Sequence, residues 1–317
     1  MLLPTLDDVR AAHERVHPVV RHTPLMRHPV LCAETGVELF VKHENHNPTG
    51  SFKVRGGLNL IPSLSADERR GVIAATTGNH GLSIAFACQR EHVPCTIVVP
   101  VGNNPDKNDA LRALGANLIE HGRDYDEARE YVEGVQKEKG LRYIHSANEP
   151  MLIAGVATYA LEIFQDLPDA DVILVPIGGG SGACGCAIVR SGLGKSTKII
   201  GVQTERADAF ARSWRGGVRV TGNKADTFAD GMATRTTFDL TYGILATELD
   251  DIVTLSEEEL ADGVRLALHT THNLAEGAGA ASIIAAKKLG DELRGKKVVA
   301  VMSGANIDTK TLRKILS

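Results

Sequence analysis

Long apolar runs are missing from this 317-residue chain, and none approaches the ~20 residues that a membrane-spanning helix requires. Charge of one sign is not in excess either. The 35 lysines and arginines nearly balance 39 aspartates and glutamates, so no basic patch of the kind that binds nucleic acid is expected. The start, Met1-Leu2-Leu3-Pro4-Thr5-Leu6-Asp7-Asp8, lacks the basic segment and apolar stretch of a secretory signal, which makes a cytoplasmic location the expectation. Cysteine is sparse and odd in number, five in all: Cys32, Cys88, Cys95, Cys184 and Cys186. Cys88, Cys95 and Cys184 lie in apolar segments where cysteine serves as a small hydrophobe, so reduced thiols are expected rather than a disulfide framework. Cys184-Gly185-Cys186 has no second ligand pair at zinc-like spacing and reads as packing. No internal repeat, low-complexity tract or obvious linker interrupts the chain, whose length fits one or two domains.

What is present is an alternation of short β-rich runs with helix-length amphipathic runs, after an N-terminal helical stretch from Leu6 to about His17. The β-type runs lie near Leu39–Lys42, Val72–Ala75, Cys95–Val99, Asn117–Glu120, Arg142–His145, Val172–Val175, Lys198–Gln203, Ile252–Leu255 and Val298–Met302. Several are continuous Val/Ile/Leu, the pattern of strands buried on both faces of a mainly parallel sheet. Helices at Leu82–Arg90, Tyr125–Lys139, Ala157–Gln165, Glu257–His272 and Ala280–Leu289 would cover it, which makes the class α/β. Asp106 is expected to open the Lys107–Leu114 helix and Gly115 to stop it, while Ser256 and Glu259 form a capping box. The polar, Gly/Thr-rich stretch from Ser213 to Phe238 reads as an irregular excursion.

Four segments carry chemistry. In Asn47-Pro48-Thr49-Gly50-Ser51-Phe52-Lys53-Val54-Arg55-Gly56, one lysine stands at a Gly/Ser-rich turn where a helix should begin. The helix dipole and burial both disfavour an ammonium there, so the free amine needed to bind an aldehyde becomes accessible. In Thr76-Thr77-Gly78-Asn79-His80-Gly81, a strand runs through a polar turn into a helix expected near Leu82, a place where unpaired N–H groups hold an anion such as a substrate carboxylate; simple N-capping by Thr77 or Asn79 is the plainer alternative. The third segment, Pro176-Ile177-Gly178-Gly179-Gly180-Ser181-Gly182, follows a buried strand and suits a phosphate group. Gly180-x-Gly182-x-x-Gly185 with Glu205 also matches a dinucleotide fingerprint, although that reading leaves the lysine turn and the Gly-Asn-His turn without a role. The fourth, Ser303-Gly304-Ala305-Asn306, follows the last strand and brings a hydroxyl suited to a heterocyclic nitrogen.

In this order the four segments resemble the fold-type II pyridoxal-phosphate enzymes, specifically the threonine/serine dehydratase and serine racemase branch, from Pro24-Leu25 through Asn306. The resemblance implies an α/β fold of the tryptophan synthase β type, with two open, mainly parallel sheets. Residues 1–65 and 147–317 would form a large domain and 66–146 a small mobile one. Lys53 would be the Schiff-base lysine, with Phe52 near the ring, Asn79 on the phenolic oxygen, and Gly178, Gly179, Gly180, Ser181 and Gly182 around the phosphate. Ser303 would face the pyridine nitrogen, Gly231 and Glu276 would line the ring side, and Thr76, Thr77, Gly78, Asn79 and His80 would hold the amino acid's carboxylate. The implied reaction is β-elimination from a β-hydroxy-α-amino acid (threonine, serine or phenylserine), with Lys53 as general base, giving a 2-oxo acid and ammonia. A serine opposite the pyridine nitrogen leaves that nitrogen unprotonated and favours prompt loss of a β-leaving group. A homodimer is the expected assembly.

Departures from the family pattern refine this. Gln203 and Ala209 stand where racemase-type relatives carry cation-binding carboxylates, so no metal site is expected. Thr77 stands where racemases place a serine that acts on the face opposite the lysine; its hydroxyl keeps racemisation as an alternative. Leu82 and Val156 replace glutamines of the dehydratases, which either admits a larger apolar β-substituent or reflects packing in the core. Val54, where many β-replacement synthases have aspartate, favours the dehydratase branch. The chain stops soon after the Ser303 loop, so feedback control through an appended regulatory domain is not expected. A role in binding alone would require an exposed, inert Lys53.

Overall fold

The computed structural model describes residues 3–317. Its strands are β1 (Leu25–Arg27), β2 (Glu38–His43), β3 (Val72–Ala75), β4 (Cys95–Val99), β5 (Asn117–Glu120), β6 (Arg142–Tyr143), β7 (Val172–Pro176), β8 (Lys198–Thr204), β9 (Asp251–Leu255) and β10 (Lys297–Met302). They form a six-stranded sheet in the order β1-β2-β10-β7-β8-β9 and a four-stranded sheet in the order β5-β4-β3-β6. Only the β1–β2 pair is antiparallel.

Alternating burial explains the continuous apolar runs. Along β7 and β10, Ile173, Val175, Val299 and Val301 face a helical layer that includes Ala157, Ile163 and Ala183. Val172, Leu174, Val298, Ala300 and Met302 face the opposite layer with Leu260, Val264, Ala281 and Ile284. Both faces of these strands are therefore covered, and each buried valine or isoleucine contributes about 1.5–3 kcal/mol. The last strand lies between β2 and β7 with Met302 opposite His43, so the carboxyl ends of N-terminal, middle and C-terminal segments meet at one edge. No helix among the described residues is long and apolar enough to cross a membrane.

A buried ionic network anchors this edge. Arg55 donates to Glu44 at 2.7 Å and to Glu162 at 2.7 Å, and Lys42 donates to Glu162 at 2.7 Å, all four side chains fully buried. It ties β2, the helix Val54–Leu60 and the helix Pro150–Asp166 together two residues beyond Lys53.

Several sequence expectations shift. The helix expected from Asp106 begins at Pro105, with Asn104 as its cap: the Asn104 side chain accepts from the Lys107 amide, leaving Asp106 inside the first turn. The helix expected near Leu82 starts at Asn79, the one expected at Ala157 starts at Pro150, and the one expected at Ala280 starts at Gly277. Ser213 to Gly216 belongs to the helix Ala209–Gly216 rather than to the irregular stretch. Helices Pro29–Thr35, Asp239–Glu248 and Thr309–Leu316 and strand β1 had no counterpart in the sequence reading. The cysteines are free, and Cys184 and Cys186 are fully buried in the helix Ser181–Gly192, in keeping with packing.

Candidate active site

Lys53 is the N-cap residue of the helix Val54–Leu60, and its side chain makes no cap bond. Burial holds the amine well below the ordinary lysine range, down to about 8. Its Nζ donates to Ser181 Oγ at 2.8 Å, which joins the lysine turn to the glycine loop after β7. That loop leads into the helix Ser181–Gly192, whose start carries no side-chain cap; Gly180, at φ +91°, adopts a left-handed conformation open to glycine. A Cβ at Gly178 would lie 2.1 Å from the Gly231 carbonyl, so only a glycine leaves the loop where it is.

The Ser303 loop is stitched to the lysine turn. The Phe52 amide donates to the Ser303 carbonyl at 3.0 Å and the Ala305 amide to the Gly50 carbonyl at 2.9 Å. Across the cavity, the turn after β3 is held from within by Thr76, whose Oγ1 accepts from the amides of Gly78 at 2.8 Å and Gly81 at 3.2 Å. Gly78 is the N-cap residue of the helix Asn79–Glu91 and has no side chain to cap it; the hydroxyl that reaches the first turn is that of Thr76, through the Gly81 amide, so capping by Thr77 or Asn79 does not occur. His80 donates from Nε2 to the Ile144 carbonyl at 3.2 Å; burial pushes its pKa down to about 3, so its ring is neutral.

One cavity gathers Phe52, Lys53, Thr76, Thr77, Asn79, His80, Gly178, Gly179, Gly180, Ser181, Gly182, Gly231, Glu276 and Ser303. Of the residues expected to hold the cofactor or the substrate carboxylate, Gly78 alone stays off its wall. Its amide is committed to Thr76, and its missing Cβ makes room for the Lys107 side chain, which would otherwise be 2.3 Å away. Lys107 is 4% exposed and donates to Asp230 at 2.9 Å, with Glu276 at 3.8 Å. Burial works against its charge, but Glu276 and Asp230 outweigh it and raise its pKa. Burial raises the pKa of Glu276 in turn, opposed by Lys107 and by the 2.6 Å hydrogen bond from Asn79.

Lys107, Asp230, Tyr125 and Ser146 line the cavity and were not found from sequence. Lys107 and Asp230 are 123 positions apart, and no local pattern marks such a pair. Leu82 and Val156 are core residues, 4% and 0% exposed, and do not line the cavity, so their apolar character reflects packing. Gln203 is buried with its Oε1 accepting from the Ala211 amide at 2.9 Å, and Ala209 opens a helix.

These residues fit an aldehyde cofactor carrying a phosphate. A primary amine with a lowered pKa, an uncapped glycine cradle that a Cβ would fill, and a buried Ser303 hydroxyl line one cavity. The pyridoxal-phosphate dependent enzyme family matches the chain over residues 16–304. The chain belongs to that family. Pyridoxal phosphate is therefore its cofactor, and the dinucleotide reading of Gly180-x-Gly182-x-x-Gly185 falls. Among relatives, the chain is 40% identical over 315 residues to an L-threonine ammonia-lyase of Thermotoga maritima, covering 99% of this chain and 78% of that one. It is 32% identical over 313 residues to a β-hydroxyaspartate dehydratase of Paracoccus denitrificans, covering 98% and 99%. Among solved structures, the processed form of threonine deaminase isoform 2 from Solanum lycopersicum superposes with a TM-score of 0.91 at 32% identity, covering 98% of this chain and 91% of that one. The α/β architecture of two mainly parallel sheets is thus that of the fold-type II pyridoxal-phosphate enzymes.

Proposed function

We propose that this enzyme is an ammonia-lyase (dehydratase) acting on a small, uncharged β-hydroxy-α-amino acid, threonine or serine, to give a 2-oxo acid and ammonia. The observation that carries the reading is the Lys53 amine, lowered to about 8 and 2.8 Å from Ser181 Oγ beside the glycine cradle. The names of the two relatives, a threonine ammonia-lyase and a hydroxyaspartate dehydratase, agree with elimination as the reaction.

Pyridoxal phosphate, when bound, supplies an aldehyde for the substrate amine and a ring that draws electrons from the α-carbon. Lys53 would hold its aldehyde carbon, Gly178 to Gly182 and Ser181 its phosphate, Asn79 its phenolic oxygen and Ser303 its ring nitrogen. Phe52, Gly231 and Glu276 would wall the ring. The helix start at Thr77, Asn79 and His80, where Thr76 occupies the Gly78 and Gly81 amides, would bind the substrate carboxylate through backbone N–H groups, with Lys107 adding positive charge behind Gly78. With its amine free, Lys53 Nζ would take the α-proton; the burial that favours its neutral form suits it to act as a base. Ser181 Oγ keeps that amine oriented. Ser303, a weak acid, would leave the ring nitrogen unprotonated, which would favour prompt loss of the β-hydroxyl, departing as water once it has taken up a proton. The Thr77 hydroxyl is directed to the Asp230 carbonyl at 3.5 Å, a contact that would compete with its use as the acid of a racemase and so supports elimination over racemisation.

Charge speaks to the substrate. Among the described residues lining the cavity, Lys107 is the cation besides the Lys53 amine, whose burial favours its neutral form, and Lys107 is already paired with Asp230 and Glu276. A second substrate carboxylate would meet Asp230 without a free partner, at a cost of several kcal/mol if buried unpaired. Residues 66–146 carry their own sheet, and their closure over the carboxylate turn would exclude water. We take the enzyme to be a cytoplasmic homodimer, a point that light scattering of the purified protein checks. The function is tested by assaying keto acid and ammonia with threonine, serine, 3-hydroxyaspartate and phenylserine in turn. Turnover of threonine or serine above the other two is expected; preference for the dicarboxylic substrate would overturn the charge argument, and racemised product without keto acid would overturn elimination.

A further inference from the structure

We propose that Asn306 is a positioning residue that sets which way the Asn79 carboxamide faces; this rests on the reading that Asn79 meets the cofactor's phenolic oxygen. Asn306 sits where three functional segments converge. Its Nδ2 donates to the Thr49 carbonyl in the lysine turn at 2.8 Å and to Asn79 Oδ1 in the carboxylate turn at 2.8 Å, while its own backbone belongs to the Ser303 loop. Asn79 Nδ2 in turn donates to Glu276 Oε1 at 2.6 Å.

The polarity of this chain of bonds is forced from one end. A backbone carbonyl only accepts, so the atom of Asn306 facing Thr49 is its NH2 group, and the second hydrogen of that group requires an acceptor, which is Asn79 Oδ1. Asn79 therefore presents Nδ2 to Glu276 and keeps one N–H for the cavity it lines. A flipped Asn79 would set its oxygen against the Glu276 oxygen and its NH2 against the NH2 of Asn306, two repulsive contacts. Asn306 itself has little freedom: a Cβ on Gly50 would lie 2.6 Å from its Oδ1, so the glycine of the lysine turn and this carboxamide are shaped to each other. Asn306 thus delivers a fixed N–H donor to the ring oxygen without touching the cofactor.

The test uses the enzyme loaded with pyridoxal phosphate and no substrate, reading the visible absorption maximum, its pH titration and the cofactor dissociation constant. The variants are Asn79→Ala, Asn306→Ala, the isosteric Asn306→Asp, and the Asn79→Ala/Asn306→Ala double variant, each checked by thermal melting. A donor to the phenolic oxygen stabilises its anionic form. Losing that donor is expected to move the visible band or raise its titration midpoint, and to weaken cofactor binding roughly 10-fold. Asn306→Ala and Asn306→Asp should change the band in the same direction as Asn79→Ala, and Asn306→Ala should add no further change in the Asn79→Ala background. If Asn79→Ala shifts the band while both Asn306 variants leave it in place, or if the Asn306 effect persists undiminished without Asn79, the proposal is overturned. If Asn79→Ala itself leaves the band unmoved, the placement of Asn79 on the ring oxygen is what fails, and the proposal falls with it.

Discussion

Lys107 Nζ lies 2.9 Å from Asp230 Oδ2, an ion pair that joins the helix Pro105–Ala113, between β4 and β5 of the smaller sheet, to the Ala229-Asp230-Gly231 segment on the far side of the cavity. Because Lys107 also packs beneath Gly78, its charge would serve both the junction and, on the proposed reading, the substrate anion. Lys107→Met should raise KM for the amino acid by about 10- to 100-fold, the worth of one or two charge-assisted hydrogen bonds, while the cofactor's visible band is retained. Steady-state kinetics on the cofactor-saturated variant decide it; an unchanged KM would remove Lys107 from substrate binding.

The depressed pKa of Lys53 has a kinetic signature of its own. Only the free amine adds to an aldehyde, and burial sets the midpoint of its titration at about 8. The rate at which enzyme stripped of cofactor captures pyridoxal phosphate should climb about tenfold per pH unit below that midpoint and level off above it. Lys53→Ala should capture none covalently and turn over no substrate. Stopped-flow absorbance across pH 6 to 10 measures the profile; a midpoint near the ordinary lysine value of about 10.4 would show the amine to be solvated.

What was legible in the sequence was what local pattern encodes. The runs of β7 and β10 could be read because both faces of each strand are buried, and the Ser256–Glu259 capping box because its two bonds close within one turn. Strand β1 was not legible, since Met26 and Arg27 on this edge strand are exposed and carry no hydrophobic period. The first helical position after the turn at Thr76 differs from the expected one because the cap residue is Gly78, which has no side chain, and the hydroxyl serving the first turn comes from Thr76, two residues before the position where a start is normally read. The glycine cradle and Lys53 stood out through composition; their partners did not. Lys107 with Asp230, and Tyr125 with Ser146, are set by how distant segments meet, and of the two readings open for Leu82 the burial of its side chain decides for packing in the core.

The four-residue network behind the lysine turn predicts a stability effect separable from chemistry. Arg55 is fully buried between Glu44 and Glu162, and their charges hold its pKa above the ordinary arginine value against the opposing effect of burial. Arg55→Leu would leave two buried carboxylates with Lys42 as their remaining cation, and loss of one partner from such a network costs about 3–5 kcal/mol. Urea unfolding of the enzyme stripped of cofactor should register that loss as a lowered midpoint. A change below 1 kcal/mol, roughly the worth of an exposed ion pair, would mean that the network is solvated.

Tyr125 offers the sharpest handle on substrate choice. Its Oη lies 2.7 Å from Ser146 Oγ, and burial pushes its hydroxyl up to about 12, so it remains a neutral donor. With Thr77, Asp230 and Ala233 it lines both the inner cavity and an outer one, which places it at the passage between them. The ring stands edge-on to Phe238 with centroids 6.3 Å apart, so Tyr125→Phe removes the oxygen and leaves the ring supported. A wall that has lost its hydroxyl should favour an apolar β-substituent, raising the kcat/KM ratio of threonine over serine by about tenfold, within the 1–3 kcal/mol that one methyl-sized contact can discriminate. Competition between the two substrates in one assay reads the ratio directly. A ratio equal to that of the unaltered enzyme would mean that the β-substituent points away from Tyr125, and that the hydroxyl pair serves only to brace the cavity wall.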